Sequence, residues 1–241
     1  MTMQQFTWRL LGAIGILSAT LLQVHAQDQT QPHVLAEVQV RITSDQPGKR
    51  ISVPAVIWLD PIGGSPSVAF PADRRYTLLQ KNRMFVPHLQ VVPVGSSVQF
   101  PNADPFFHNV FSLFDGKRFD LGLYEAGSSK SVTFSREGVS YIFCNIHPEM
   151  SAIVISIPTN LYAIADANDS IVLRNVPPGD YKMQTWVEGV PQSFLEHLAK
   201  TIHVGPGKTD LGSLRVPIQD THSSHTNKFG RTYDREPQSS Y

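Results

Sequence analysis

The chain has 241 residues, 41% of them hydrophobic, and its 20 basic and 20 acidic residues cancel to a formal net charge of zero. That apolar content supplies a packed core and excludes a wholly disordered chain. The balanced charge argues against a nucleic-acid binder, which needs clustered Lys and Arg.

The first element in chain order is a targeting signal. Arg9 closes a short positive stretch, Leu10 to Leu22 is an uncharged apolar run, and Val24-His25-Ala26 offers small residues to a signal peptidase. Residues 1–26 therefore read as a secretory signal peptide, because the run is shorter than the ~20 apolar residues of a membrane anchor. The mature chain is expected in a periplasm or secreted, with no stable membrane insertion. It carries a single cysteine, Cys144, so no intrachain disulfide can form. A lone thiol in an oxidising compartment calls for an occupant, and a bound metal would serve.

From Val34 the pattern is short β-rich runs. Val34, Ala36, Val38, Val40 and Ile42 alternate with polar residues, as in a half-buried strand. Further strands are expected at Ala55 to Leu59, at Leu89 to Val94 and Ser97 to Phe100 on either side of Gly95, and at Ser131 to Phe134. Val139 to Cys144 and the apolar run Ala152 to Ile157 come next. Ile171 to Leu173 and Tyr181 to Val187 flank Pro177-Pro178-Gly179, and Thr201 to Val204 and Leu211 to Val216 end the series. Ser193 to Lys200 is the one expected short helix. Many short strands punctuated by Pro and Gly indicate an all-β chain built as sandwiches. The polar, aperiodic residues 218–241 read as a disordered tail.

Chemistry concentrates in Cys144-Asn145-Ile146-His147-Pro148-Glu149-Met150. A thiolate, an imidazole and a thioether stand at C-x-x-H-x-x-M spacing, where one tight loop after a strand can aim all three at a point. Soft sulfur with imidazole suits copper rather than magnesium or calcium, which take oxygen. His108, in Pro105-Phe106-Phe107-His108-Asn109, supplies a second imidazole. Two histidines, a cysteine and a weak axial methionine make a blue-copper electron-transfer site. Each of these residues alone is more often core filling or surface. His88, before an expected strand, reads as structural, and a cysteine hydrolase would leave the methionine unexplained.

At these residues the chain resembles the cupredoxin family, and its C-x-x-H-P-x-M loop is similar to that of the amicyanins. The likeness covers roughly 78–157, including Val94-Gly95-Ser96-Ser97-Val98-Gln99-Phe100 and the run Gly138 to Phe143 that leads into Cys144. It implies a Greek-key cupredoxin β-sandwich holding one copper ion, with His108, Cys144 and His147 equatorial and Met150 axial. It implies an electron carrier, not an enzyme, and so a protein redox partner such as a cytochrome or oxidoreductase. Copper storage or delivery without a redox role is the alternative.

A second resemblance lies downstream. Asp166 through Tyr181, with its Pro-Pro-Gly turn between strands, is similar to the carboxypeptidase-regulatory-like β-sandwich. Residues 158–217 would form that second small sandwich. Its first two strands are missing there but are matched within residues 34–77, ahead of the copper module. The cupredoxin is then either inserted into the second sandwich or itself extended by the N-terminal strands.

Overall fold

The computed structural model describes residues 35–68, 70, 74–113, 116–217, 228, 229 and 231. The expected signal peptide and most of the expected disordered tail lie outside these residues.

The chain is all-β. Its elements are β1 (Ala36–Ser44), β2 (Ala55–Ile62), β3 (Tyr76–Thr77), β4 (Leu79–Lys81), β5 (Met84–Val86), β6 (Leu89–Pro93), β7 (Ser96–Pro101), β8 (His108–Ser112) and β9 (Phe119–Tyr124). They continue with β10 (Ser129–Phe134), β11 (Gly138–Phe143), β12 (Ser151–Ile157), β13 (Tyr162–Ile164), β14 (Ser170–Val176), β15 (Gly179–Val187), α1 (Gln192–Leu198), β16 (Lys200–Val204) and β17 (Lys208–Val216). The expected strands are present with shifted ends. The sequence pattern missed β3, β4, β5, β8, β9 and β13, mostly short segments without alternation.

Two sandwiches follow from the strand pairing. In the first, a five-stranded sheet ordered β6-β12-β11-β8-β9 faces the three-stranded sheet β10-β7-β3. Val98, Phe100, Val132 and Phe134 on one side meet Val92, Val110, Ile142 and Val154 on the other. Gly95, at φ +91°, makes the tight turn between β6 and β7. In the second, β14-β1-β17 faces β13-β2-β15-β16. The strands of residues 34–60 thus share sheets with those after residue 158, and β3 to β12 lie between them in sequence. The alternation seen in β1 is the cause: Ala36, Val38, Val40 and Ile42 all point into the second core.

The two sandwiches are not separately cored. Along β12, Ala152 and Val154 face the first core, whereas Ile153, Ile155 and Ile157 join the second. The strand is apolar on both faces because both are covered. On β6, Val91 and Val92 divide in the same way. The middle sheet therefore serves both cores. Each fully buried isoleucine there contributes about 1.5–3 kcal/mol.

Candidate metal centre

Strand register brings the candidate ligands to one end of the first sandwich. β8 and β11 are antiparallel neighbours with Phe111 opposite Phe143. His108 opens β8 while Cys144 follows the end of β11, so both emerge at the same sheet end. His108 is therefore the first residue of a strand. After Cys144 the chain closes a tight loop. The Cys144 N–H donates to the Met150 carbonyl at 3.1 Å, and the Met150 N–H donates to the His147 carbonyl at 3.0 Å. That loop folds His147 back beside Cys144.

The result is a three-atom cluster. His108 Nδ1, Cys144 Sγ and a His147 ring nitrogen lie within 4.8 Å of one another. Cys144 Sγ stands 3.7 Å from His108 Nδ1 and 3.5 Å from His147 Nδ1, and the two Nδ1 atoms are 3.1 Å apart. Bonds of about 2.0 Å to nitrogen and 2.3 Å to sulfur in a trigonal plane would set such donors roughly 3.5 Å apart. Two ring nitrogens that close repel unless a proton or cation sits between them. The donor set therefore fits a soft, thiolate-binding metal. Met150 is fully buried in the same core cluster as Cys144.

The polar setting fixes His108. Its Nε2 lies 2.9 Å from the Asp104 carboxylate, both groups being almost wholly buried. With Nε2–H donating to Asp104, the Nδ1 lone pair is left facing Cys144 and His147. Asp104 accepts in turn from the backbone N–H groups of Asn82, at 2.6 Å, and Arg83, at 2.9 Å. Those N–H groups converge because Asn82 and Arg83 form the two-residue turn between β4 and β5, both with positive φ (55° and 57°). Burial alone would raise the Asp104 pKa; the Arg83 N–H, the His108 ring and the Asn82 N–H together hold it below the usual aspartate value. Asn102 braces the same loop, donating to Phe106 O and accepting from the Asp104 N–H.

Two further layers surround the cluster. The Phe106 ring packs against both imidazoles, 5.2 Å from His108 and 5.6 Å from His147 between centroids. On the far side, the Asn109 side-chain amide donates to Asp120 Oδ1, and Lys228 Nζ reaches Asp120 Oδ2 at 2.7 Å. The Lys228 N–H also donates to Asn145 Oδ1 at 3.0 Å. A residue of the segment expected to be disordered thus contacts Asn145, next to Cys144, and Asp120, which accepts from Asn109, next to His108.

All four sequence-predicted ligands are placed at this end. Sequence reasoning missed Asp104, Asp120 and Lys228. Asp104 had a faint signal, an acid in an Asn-Ala-Asp-Pro turn four residues ahead of a histidine. Lys228 had none. His88 is structural, as expected: its Nδ1 contacts Ser151 O and its Nε2 lies 2.9 Å from Glu188 on the second sandwich.

No family model matches the chain, and no curated protein matches it. Among solved structures it is similar to a copper-containing nitrite reductase from Thermus scotoductus, at 24% identity over 38% of this chain and TM-score 0.33. That match spans only 25% of the reductase. It is also similar to a purple cupredoxin from Nitrosopumilus maritimus, at 25% identity over 35% of this chain and all of that one, TM-score 0.31. An amicyanin variant in the reduced Cu(I) form matches at 20% identity over 42% of this chain and 98% of its own, TM-score 0.33.

Proposed function

We propose that the protein is an exported cupredoxin that would hold one copper ion through His108, Cys144, His147 and Met150, and that it carries single electrons. The supporting observation is the convergence of one thiol and two imidazole nitrogens within 4.8 Å, one imidazole held by a buried carboxylate. Bound copper supplies one-electron cycling between Cu(I) and Cu(II).

The protein's own residues do the rest. Cys144, at 0% exposure, gives up its proton to bind as thiolate. Asp104 fixes the His108 ring, so the donors need not rearrange. His108, Cys144 and Met150 are fully buried, and His147 is partly exposed. Four protein donors leave no open position for a substrate, unlike a catalytic metal site. That set favours a carrier over a storage or delivery protein, which must release its metal. Exposed Phe107 and Ile146 flank the ligand loops and give a protein redox partner an apolar contact.

Export rests on residues 1–26. Among the described residues no helix is long and apolar enough to cross a membrane. We assign residues 78–157 as the copper module, set between residues 34–77 and 158–217 of a carboxypeptidase-regulatory-like sandwich.

Protein-film voltammetry on the copper-loaded chain tests the carrier role. A reversible one-electron wave is expected, and Met150→Leu should retain copper while shifting that wave to higher potential. An irreversible response with loss of metal on reduction would instead assign storage or delivery. An unshifted wave in Met150→Leu would remove Met150 from the ligand set.

A further inference from the structure

One strand of the first sandwich turns a charge inward. Side chains two apart on a strand share a face, so Lys130, Val132 and Phe134 of β10 point the same way. Val132 and Phe134 pack in the core that also holds Cys144 and Met150. Lys130 is half-buried on that face, opposite Phe100 across the β10–β7 ladder. Its ammonium donates to the Leu121 carbonyl at 2.5 Å and stands 5.1 Å from the centre of the Tyr124 ring. Among the described residues no carboxylate pairs with it.

Tyr124 places this cation beside the ligands. It lies directly opposite His108 in the β8–β9 register, and opposite residues share a face of the sheet. Its hydroxyl crosses to the facing sheet, donating to Phe100 O at 2.9 Å and accepting from Gln80 Nε2. Gln80 is fully buried and also donates to Phe100 O. The ring is thereby fixed inside the core cluster of Cys144 and Met150. Burial raises the Tyr124 pKa, and the Cys144 sulfur is near enough for its charge to add to that rise.

A lysine turned inward on an edge strand also discourages pairing with another chain. That role needs a charge, but neither a ring beneath it nor the lack of a counter-ion. The ring holds the ammonium by its electron-rich face. Oxidation of a bound copper ion adds one positive charge, which a nearby unpaired cation opposes. We propose that Lys130, seated on Tyr124, favours Cu(I) over Cu(II) and so raises the potential of the metal centre, with Tyr124 as its positioning residue. The inference rests on the copper reading above.

The native chain is compared with Lys130→Met, which keeps the stem and loses the charge, and with Lys130→Arg, which keeps the charge. Metal-free chains are titrated competitively with Cu(I) and with Cu(II), and loaded chains are studied by film voltammetry at low and high ionic strength. In Lys130→Met the ratio of Cu(I) to Cu(II) affinity should fall about tenfold. The potential should drop to match at both ionic strengths, because a half-buried charge is poorly screened. Lys130→Arg should stay near the native value. Denaturant unfolding of the metal-free chains checks the fold, and Lys130→Gln replaces Lys130→Met if that variant does not fold. An unmoved potential in the neutral variant would overturn the inference and leave Lys130 as the guard of an edge strand. Equal shifts in the neutral and arginine variants would overturn it as a packing effect, and a shift abolished by salt as an ordinary surface charge. A native chain without a reversible wave would fail the copper reading itself, and this inference with it.

Discussion

The ligand end and the junction between the sandwiches are held together by different forces. At the ligand end, His108 is held by Asp104, Asp104 by two backbone N–H groups, and the Asn109 amide by Asp120. At the junction, the apolar side chains of β12 and β6 divide between two cores. A chain of satisfied hydrogen bonds fixes donors for one small ion and resists rearrangement. A wall of divided apolar side chains holds by contact area, which has no direction.

The sharpest way to break this contrast is to damage the wall the two halves share. Ile155 is 1% exposed and belongs to the second core although its strand carries the first. Ile155→Ala should cost about 2–5 kcal/mol, read by denaturant unfolding as a single transition in which the copper colour and the second sandwich are lost together. Two transitions would show that the halves are autonomous.

Next in size is the ligand end itself. Asp104→Asn keeps an acceptor for His108 but removes the charge. Loss of such an outer partner of a metal ligand weakens metal binding about 10–100-fold. The loss should fall mainly on Cu(II), so the potential should rise, measured by competitive Cu(II) titration and voltammetry. Unchanged affinity would mean that Asp104 does not position the ring.

A smaller effect is expected where His88 joins the halves. Hydrogen bonding to the Glu188 carboxylate raises the His88 pKa above its ordinary 6.5, against the opposing pull of burial. The stabilisation is then fully present below about pH 6.5 and is lost as pH rises through the raised folded-state value. Thermal unfolding across that range should show the decline in the native chain and not in Glu188→Gln. An equal decline in both would assign it elsewhere.

The legibility of the sequence follows the same division. β1 was readable because alternation reports a strand with one wet face, and β12 because a six-residue apolar run reports one with none. Cys144, His147 and Met150 were readable as a spaced motif in one loop, and His108 as its complement. Asp104 was not, since its partners are backbone N–H groups of a turn between strands too short to show a period. Lys228 was hidden for a different reason: its contacts with Asn145 and Asp120 are made across 83 and 108 residues.

The least effect is expected from Lys228→Ala. Its ammonium is partly exposed beside Asp120, and exposed ion pairs contribute about 0–1 kcal/mol. Copper should still bind, with a small shift of potential because Asp120, which accepts from Asn109, loses its cation, while the backbone N–H of residue 228 still reaches Asn145. No shift would place Lys228 outside the functional set.

The central claim is that Cys144, with two histidines, binds one copper ion. Metal-free protein titrated with Cu(II) tests it most directly, with Cys144→Ser beside it. An intense visible thiolate-to-copper band should grow to a plateau at one equivalent and be absent from the variant. A colourless native protein, or equal colour in Cys144→Ser, would contradict it.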